Sequence, residues 1–201
     1  MPAVVVTHNP DNIEAAIAEA LGHIDLGPLV RGRLVAVKPN ETTATADDQT
    51  GVTQADTLRA LKPAGPQELV VTGGAGAAET EDVLRVTGML DVLREEGATF
   101  FDHNRPPFHE VALEYAPGRD VAGPQRSVRV NPRVLEYETL VAVNQLKVHS
   151  TATVTLALKT IAMSYPAADY YGHPRGDEKH AHHFFDDMHS FIAAMAKRFP
   201  I

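Results

Sequence analysis

Apolar residues recur along this chain in two alternating rhythms, short β-branched runs and longer stretches with one apolar helix face. Val4-Val5-Val6 predicts a first strand. Ile13, Ala16, Ile17, Ala20, Leu21 and Ile24 then fall on one helix face, entered through Asn9-Pro10 and fraying near Gly22. Leu34 to Val37 predicts a second strand, stopped by Lys38-Pro39-Asn40. Residues 41–52 are polar and predict a long surface loop, followed by a short helix through Leu58 and Leu61. Leu69-Val70-Val71 is the next strand and runs into Gly73-Gly74-Ala75-Gly76. Val83, Val86, Leu90 and Leu93 mark a helix whose first turn is acidic (Glu79, Glu81, Asp82), as the helix dipole prefers. Ala98 to Phe101 predicts a strand ending in Asp102-His103-Asn104.

Residues 105–138 hold five prolines and two strand-like pieces, Val111–Tyr115 and Ser127–Val130, which predicts an irregular insertion with a small hairpin. Leu140 to Val143 is a buried-type strand continuing to Gln145-Leu146-Lys147-Val148-His149. A Thr/Ala/Leu-rich helix follows over roughly 152–163. Phe184, Phe185, Met188, Phe191, Ile192, Met195 and Phe199 set the last helix. Strands and helices alternate, with no hairpin signal between the main strands. The pattern therefore predicts a single α/β domain over residues 1–201, three-layered, with a mostly parallel sheet and helices on both faces. Pro200 stops the last helix where such a fold usually begins another strand, so a shortened C-terminus is expected.

Composition narrows the function more than the fold. Lys and Arg number 18 against 26 Asp and Glu, a net charge of −8. Nucleic acid and anionic membranes reward clustered positive charge, so neither is an expected partner. The chain has no cysteine, which removes thiolate nucleophiles, disulfides, CxxC zinc sites and cysteine-held iron–sulfur clusters. The N-terminus lacks the basic start of a signal peptide, and no apolar run reaches membrane-spanning length. A cytoplasmic location is the expectation.

In open parallel sheets ligands gather beyond the carboxyl ends of the strands. Those ends carry Lys38 and Asn40, then Gly73, Gly74 and Gly76, then Asp102-His103-Asn104, then Lys147 and His149. The glycine turn opens a helix, so its backbone N–H groups suit a phosphate or carboxylate, or simply meet a tight turn that needs small residues. It is no dinucleotide fingerprint, because Glu79 stands where the third glycine belongs. Lys147 and His149 share a face if the strand persists. Thr151 and Thr153 offer hydroxyls beyond them. Lys159 lies among Val154, Leu156, Leu158 and Ile161, where it either loses its proton as a nucleophile or base, or snorkels to solvent. His182, Asp186 and His189 line one flank of the last helix, a pattern that a solvated face explains as well as a metal. His173, after Tyr170-Tyr171-Gly172, is the better metal-ligand candidate.

Val37-Lys38-Pro39-Asn40, Val71-Thr72-Gly73-Gly74 and above all residues 146–159 (LKVHSTATVTLALK) followed by His173 resemble the domain-of-unknown-function 362 family. The resemblance covers nearly the whole chain. It departs at Thr160, where the pattern usually has Asn, and at Ala162-Met163-Ser164, where a glycine is expected. Members often carry a ferredoxin-type cluster domain, which a chain without cysteine does not supply. More distantly, the order His149, Lys159, His173 is similar to nickel-pincer racemases of the lactate racemase type. That likeness implies His149 as acid/base, Lys159 as covalent cofactor anchor and His173 as metal ligand.

The sequence thus points to a metal- or small-molecule-dependent enzyme acting on an anionic small molecule, with proton abstraction as in racemases. Lys147, His149 and Lys159 are its candidate catalytic residues. Lys38, Asn40, Gly73, Gly74, Gly76 and Thr151 are candidate ligand contacts, and His173 a ligand for nickel or zinc. A non-catalytic module for an anionic ligand and a shortened member with an assembly role are the rival readings, and a second copy of the chain is the protein partner left open.

Overall fold

In the computed structural model, residues 4–60, 65–76, 78–118, 126–168 and 187–199 are described. Four parallel strands form the centre: β1 (Leu34–Pro39), β2 (Glu68–Gly73), β3 (Thr99–Asp102) and β6 (Thr139–Val143), in the order β3-β2-β1-β6. The register sets Ala36 beside Val70 and Leu140, and Lys38 beside Ala142, so these residues share one face of the pleat. Val37 beside Val71 and Val141 belongs to the other.

Each face has its own core, which gives the three layers the pattern predicts. Val37, Val71 and Val143 pack against α3 (Ala55–Arg59), α4 (Thr80–Val86) and α5 (Met89–Glu95) through Leu58, Val83, Leu84, Met89, Val92 and Leu93. Ala36 and Leu140 pack against α6 (Ala157–Ser164) and α7 (Met188–Arg198) through Ile161, Ala162, Phe191 and Met195. The antiparallel hairpin β4 (His109–Ala112) and β5 (Ser127–Val130) adds Val111, Val128 and Val130 to this second core. The predicted hairpin within the insertion is therefore present. α1 (Ile13–Gly22) begins at Asn12, whose side chain accepts the Ala15 N–H at 2.9 Å, and α2 (Gly27–Val30) leads into β1.

Several elements differ from the sequence pattern, each for a local reason. Val4 to Val6 form no strand, and Val4 and Val6 stand 89% and 87% exposed. The helix through Val83 and Leu93 is two helices, because Gly88 adopts φ 74° between them. The strand from Leu140 ends at Val143 instead of running on to His149. Lys147–His149 (β7) pairs with Thr153–Thr155 (β8) as a separate antiparallel hairpin. Thr153-Val154-Thr155 is β-branched throughout and takes the pleated geometry, so α6 starts at Ala157 rather than near 152. Thr151 and Thr153 accordingly belong to the hairpin, not to a helix entrance. The loop after β1 does not lie wholly on the surface either, because Glu41 is 1% exposed and Val52 is fully buried. Phe184 and Phe185 lie outside the described residues.

Candidate functional site

β1 delivers Lys38 into the space beneath α6, where it is fully buried. A lysine there requires a partner. Its Nζ donates to the carboxylate of Glu41, three residues on, and to the Pro39 carbonyl. Burial pushes the Lys38 pKa down, with the Glu41 charge opposing it. Glu41 is satisfied from other sides too: Oε1 accepts the Gly74 N–H at 3.0 Å and the Ser164 hydroxyl at 2.9 Å. The carboxylate that the glycine turn holds is thus the chain's own.

The predicted glycines therefore play different parts. A Cβ on Gly73 would meet Glu41 Cδ at 2.8 Å, and one on Gly74 would meet the Ser164 carbonyl oxygen at 2.8 Å, whereas Gly76 faces open space. Asn40 is buried and ties three segments together. Its Nδ2 donates to Thr160 Oγ1 at 2.8 Å, its Oδ1 accepts the Gln145 N–H at 2.9 Å, and its own N–H donates to Thr53 Oγ1 at 2.7 Å. The Thr160 hydroxyl thus receives the Asn40 amide across the gap between β1 and α6.

The β7–β8 hairpin brings up the remaining residues. Strand alternation sets Lys147 and His149 on the partly buried face, with Val148 on the other, as the spacing predicts. Lys147 Nζ donates to the Gly51 carbonyl, and burial lowers its pKa, opposed by Glu41. His149 Nδ1 accepts the backbone N–H groups of Thr151 and Ala152, both at 3.2 Å, closing the turn that precedes Thr153 at φ 64°. Burial, then the positive charges of Lys159 and Lys147, lower the His149 pKa to about 4. At neutral pH the ring is uncharged, and with Nδ1 accepting, its proton sits on Nε2. Thr151 itself is exposed and meets His149 through its backbone alone.

Lys159 rises from α6, partly buried. Among the described residues its ammonium has no hydrogen-bond or ion-pair partner. Burial lowers its pKa to about 8, reinforced by Lys147 and Lys38 and opposed by Glu41. Lys38, Glu41, Lys147, His149 and Lys159 therefore act on one another as a single electrostatic cluster. Beside it are polar atoms without partners among the described residues: both amide atoms of Asn144, which follows β6, and Thr155 Oγ1, opposite Lys147 in the hairpin register.

His173 lies outside the described residues, as do His182 and Asp186, while His189 is exposed on α7. Among the described residues no group of three or more His, Asp or Glu side chains is arranged to hold a metal ion. Nor is any described helix long and apolar enough to cross a membrane.

Two residues escaped the sequence reading. Glu41, the charge partner of Lys38, sits in a stretch whose polarity reads as surface, and its i,i+3 spacing from a strand-end lysine was the available signal. The other is His103, named only as part of a strand end. It is fully buried and its Nε2 meets the hydroxyls of Thr72 and, at 3.3 Å, Tyr137, with the Tyr165 ring edge-on at 4.9 Å. Burial, then the charges of Lys38 and Arg133, lower its pKa to about 3.

No curated protein and no solved structure matches the chain. The family described as a domain of unknown function, DUF362, matches residues 35–201, a span that takes in β1, the glycine turn, the hairpin and α6, and so every element of the cluster. The chain belongs to the DUF362 family.

Proposed function

We propose that this cluster binds a small carboxylate-bearing molecule and moves a proton to and from the carbon next to that carboxylate. One observation carries the reading. Three lysines act on one another where, among the described residues, there is one carboxylate, and Glu41 is already engaged by Lys38, Gly74 and Ser164. The surplus positive charge stands in a chain whose net charge is −8, which favours a bound anion at this place above others.

Lys159 is the proton acceptor. A pKa of about 8 leaves a useful fraction neutral near physiological pH, where an ordinary lysine is fully charged. Lys147 supplies the positive charge that draws in the carboxylate. His149 serves as a neutral donor through Nε2–H rather than as the base, because its Nδ1 lone pair is taken by the turn. Lys38, Asn40, Gly73 and Gly74 hold the framework. His173 remains the proposed ligand should nickel or zinc take part.

The test is proton exchange in D2O, followed by 1H NMR on a panel of 2-hydroxy, 2-amino and dicarboxylic acids, with and without added nickel or zinc. The expected result is loss of the α-proton signal of one class with the native chain and none with Lys159→Met. Binding without exchange, seen by calorimetry with the same panel, would replace the enzyme reading by a non-catalytic anion-binding module. Neither binding nor exchange would sink both.

A further inference from the structure

The hairpin that presents Lys147 and His149 on its inner face is apolar on its outer face, and nothing among the described residues covers that side. Among the described residues, eleven large hydrophobic side chains are exposed, and five of them fall in this short segment: Leu146, Val148 and Val154 on the hairpin, and Leu156 and Leu158 where it enters α6. Val148 is 92% exposed and stands directly opposite Val154 in the register. A two-stranded hairpin is marginally stable by itself in water, so an uncovered apolar face is a poor resting state. From Val148 to Leu158 the sequence contains no Asp, Glu, Lys or Arg, in a chain that is 22% charged.

We infer that this face is a contact between two copies of the chain, related by a two-fold axis through the hairpins. Three features favour a second copy. The patch carries no charge, so a strongly acidic or basic partner gains nothing from it. A two-fold contact sets each Val148–Val154 pair against its equivalent, and such self-complementarity is what an isologous interface needs. The five side chains present roughly 500 Å2 of apolar surface, the size of the largest patch on a typical soluble domain, and such patches commonly mark contacts. With Ser150, Thr151 and Thr153 as a polar rim, the face approaches the area of about 800 Å2 per partner typical of specific pairs. The remaining surfaces carry the net charge of −8 and repel one another, so pairing tightens as salt screens them. The contact also holds the hairpin in place from outside, and with it Lys147 and His149. It stands independently of the proposed reaction.

Sedimentation velocity on the full chain, from about 1 to about 100 µM, tests this inference across the range where a micromolar pair forms. The expected result is a shift from one chain mass toward twice that mass, at lower concentration when salt is raised. Val148→Asp, at a nearly fully exposed position, should abolish the shift and leave the circular dichroism spectrum unchanged. Leu146→Asp is a second variant at the same face, and Val4→Asp a control at an exposed apolar residue outside it. A single chain mass at the highest concentration overturns the inference. So does a pair that survives both hairpin substitutions, or one that Val4→Asp dissociates equally.

Discussion

Lys38 and Lys159 lie within reach of each other's charge, and the surroundings treat them in opposite ways. Lys38 is fully buried, and every feature around it secures its ammonium: the Glu41 carboxylate, the Pro39 carbonyl, and a glycine turn and serine that orient that carboxylate. Lys159 is only partly buried, yet no described residue pairs with it. Stability accounts for the first arrangement, since a fully buried charge must be paired, but it does not account for the second, since a shallower charge finds partners easily. A satisfied ion pair is a structural fixture. A lysine without a partner among the described residues, beside such a pair, is what the proposed anion-binding reading requires.

The largest effect is expected from breaking the fixture. Lys38→Met leaves the Glu41 carboxylate buried without a counter-ion, at a cost of about 3–5 kcal/mol read from urea unfolding. The double variant Lys38→Met/Glu41→Leu should recover only part of that loss, because the buried charge is gone but the Gly74 N–H and the Ser164 hydroxyl lose their acceptor. If the single variant costs less than about 1 kcal/mol, the pair is not what holds β1 to the glycine turn. Gly74→Ala comes next. Its new Cβ meets the Ser164 carbonyl oxygen at 2.8 Å, and overpacking of this kind costs about 1–3 kcal/mol, whereas Gly76→Ala, facing open space, should be close to silent. Equal losses at the two glycines would mean that helix entry, not the approach of α6, explains them.

Two imidazoles, one buried and one partly buried, give the comparison a pH axis. His103 and His149 are held to pKa values of about 3 and about 4, while in the unfolded chain each takes up a proton near 6.5. Between those values the unfolded state binds more protons, so stability falls as pH drops below about 6.5. The slope approaches 1.4 kcal/mol per pH unit, about one histidine's worth, from fully buried His103. His149 adds less, since solvent screens it. His149→Asn, whose side-chain oxygen can still accept the turn N–H groups, should lower the slope only slightly. A flat profile between pH 6.5 and 4.5 would show that His103 charges freely in the folded state.

The layers of the fold were legible because they depend on short apolar runs and periodic faces, and both survive in Val35–Val37, Val70–Val71 and the α7 pattern. Three features were not. Val4 to Val6 has strand composition, but among the described residues no strand pairs with it. Gly88 splits a continuous helical pattern through a positive φ that periodicity does not register. The run from Leu140 to His149 and the helix-like Thr/Ala/Leu stretch after it exchange their ends to form the β7–β8 hairpin, a long-range choice that local preference does not encode. At the candidate site, the strand-end lysines and His149 were visible by position. Glu41 was not, because a single glutamate in a polar loop looks solvated until the chain folds it back onto Lys38.

Lys159→Met should cost the fold nothing and have the sharpest effect on chemistry. Removing a partly desolvated ammonium breaks no described hydrogen bond, and the replacement keeps an apolar stem of similar length, so at pH 7 the unfolding midpoint should rise, by the penalty that charging this lysine imposes on the native chain. The native chain has one further signature. Above about pH 8 folded Lys159 has lost its proton, while the unfolded chain keeps it up to about 10.5, so stability rises with pH across that window. In Lys159→Met this rise should be missing. Reductive 13C-methylation followed by NMR titration reads the same group directly, as one dimethyl-lysine resonance titrating near 8 that vanishes in the variant. If every lysine instead titrates near its ordinary value, Lys159 is held charged by a counter-ion. The contrast with Lys38 then collapses, and with it the argument that this lysine is the proton acceptor.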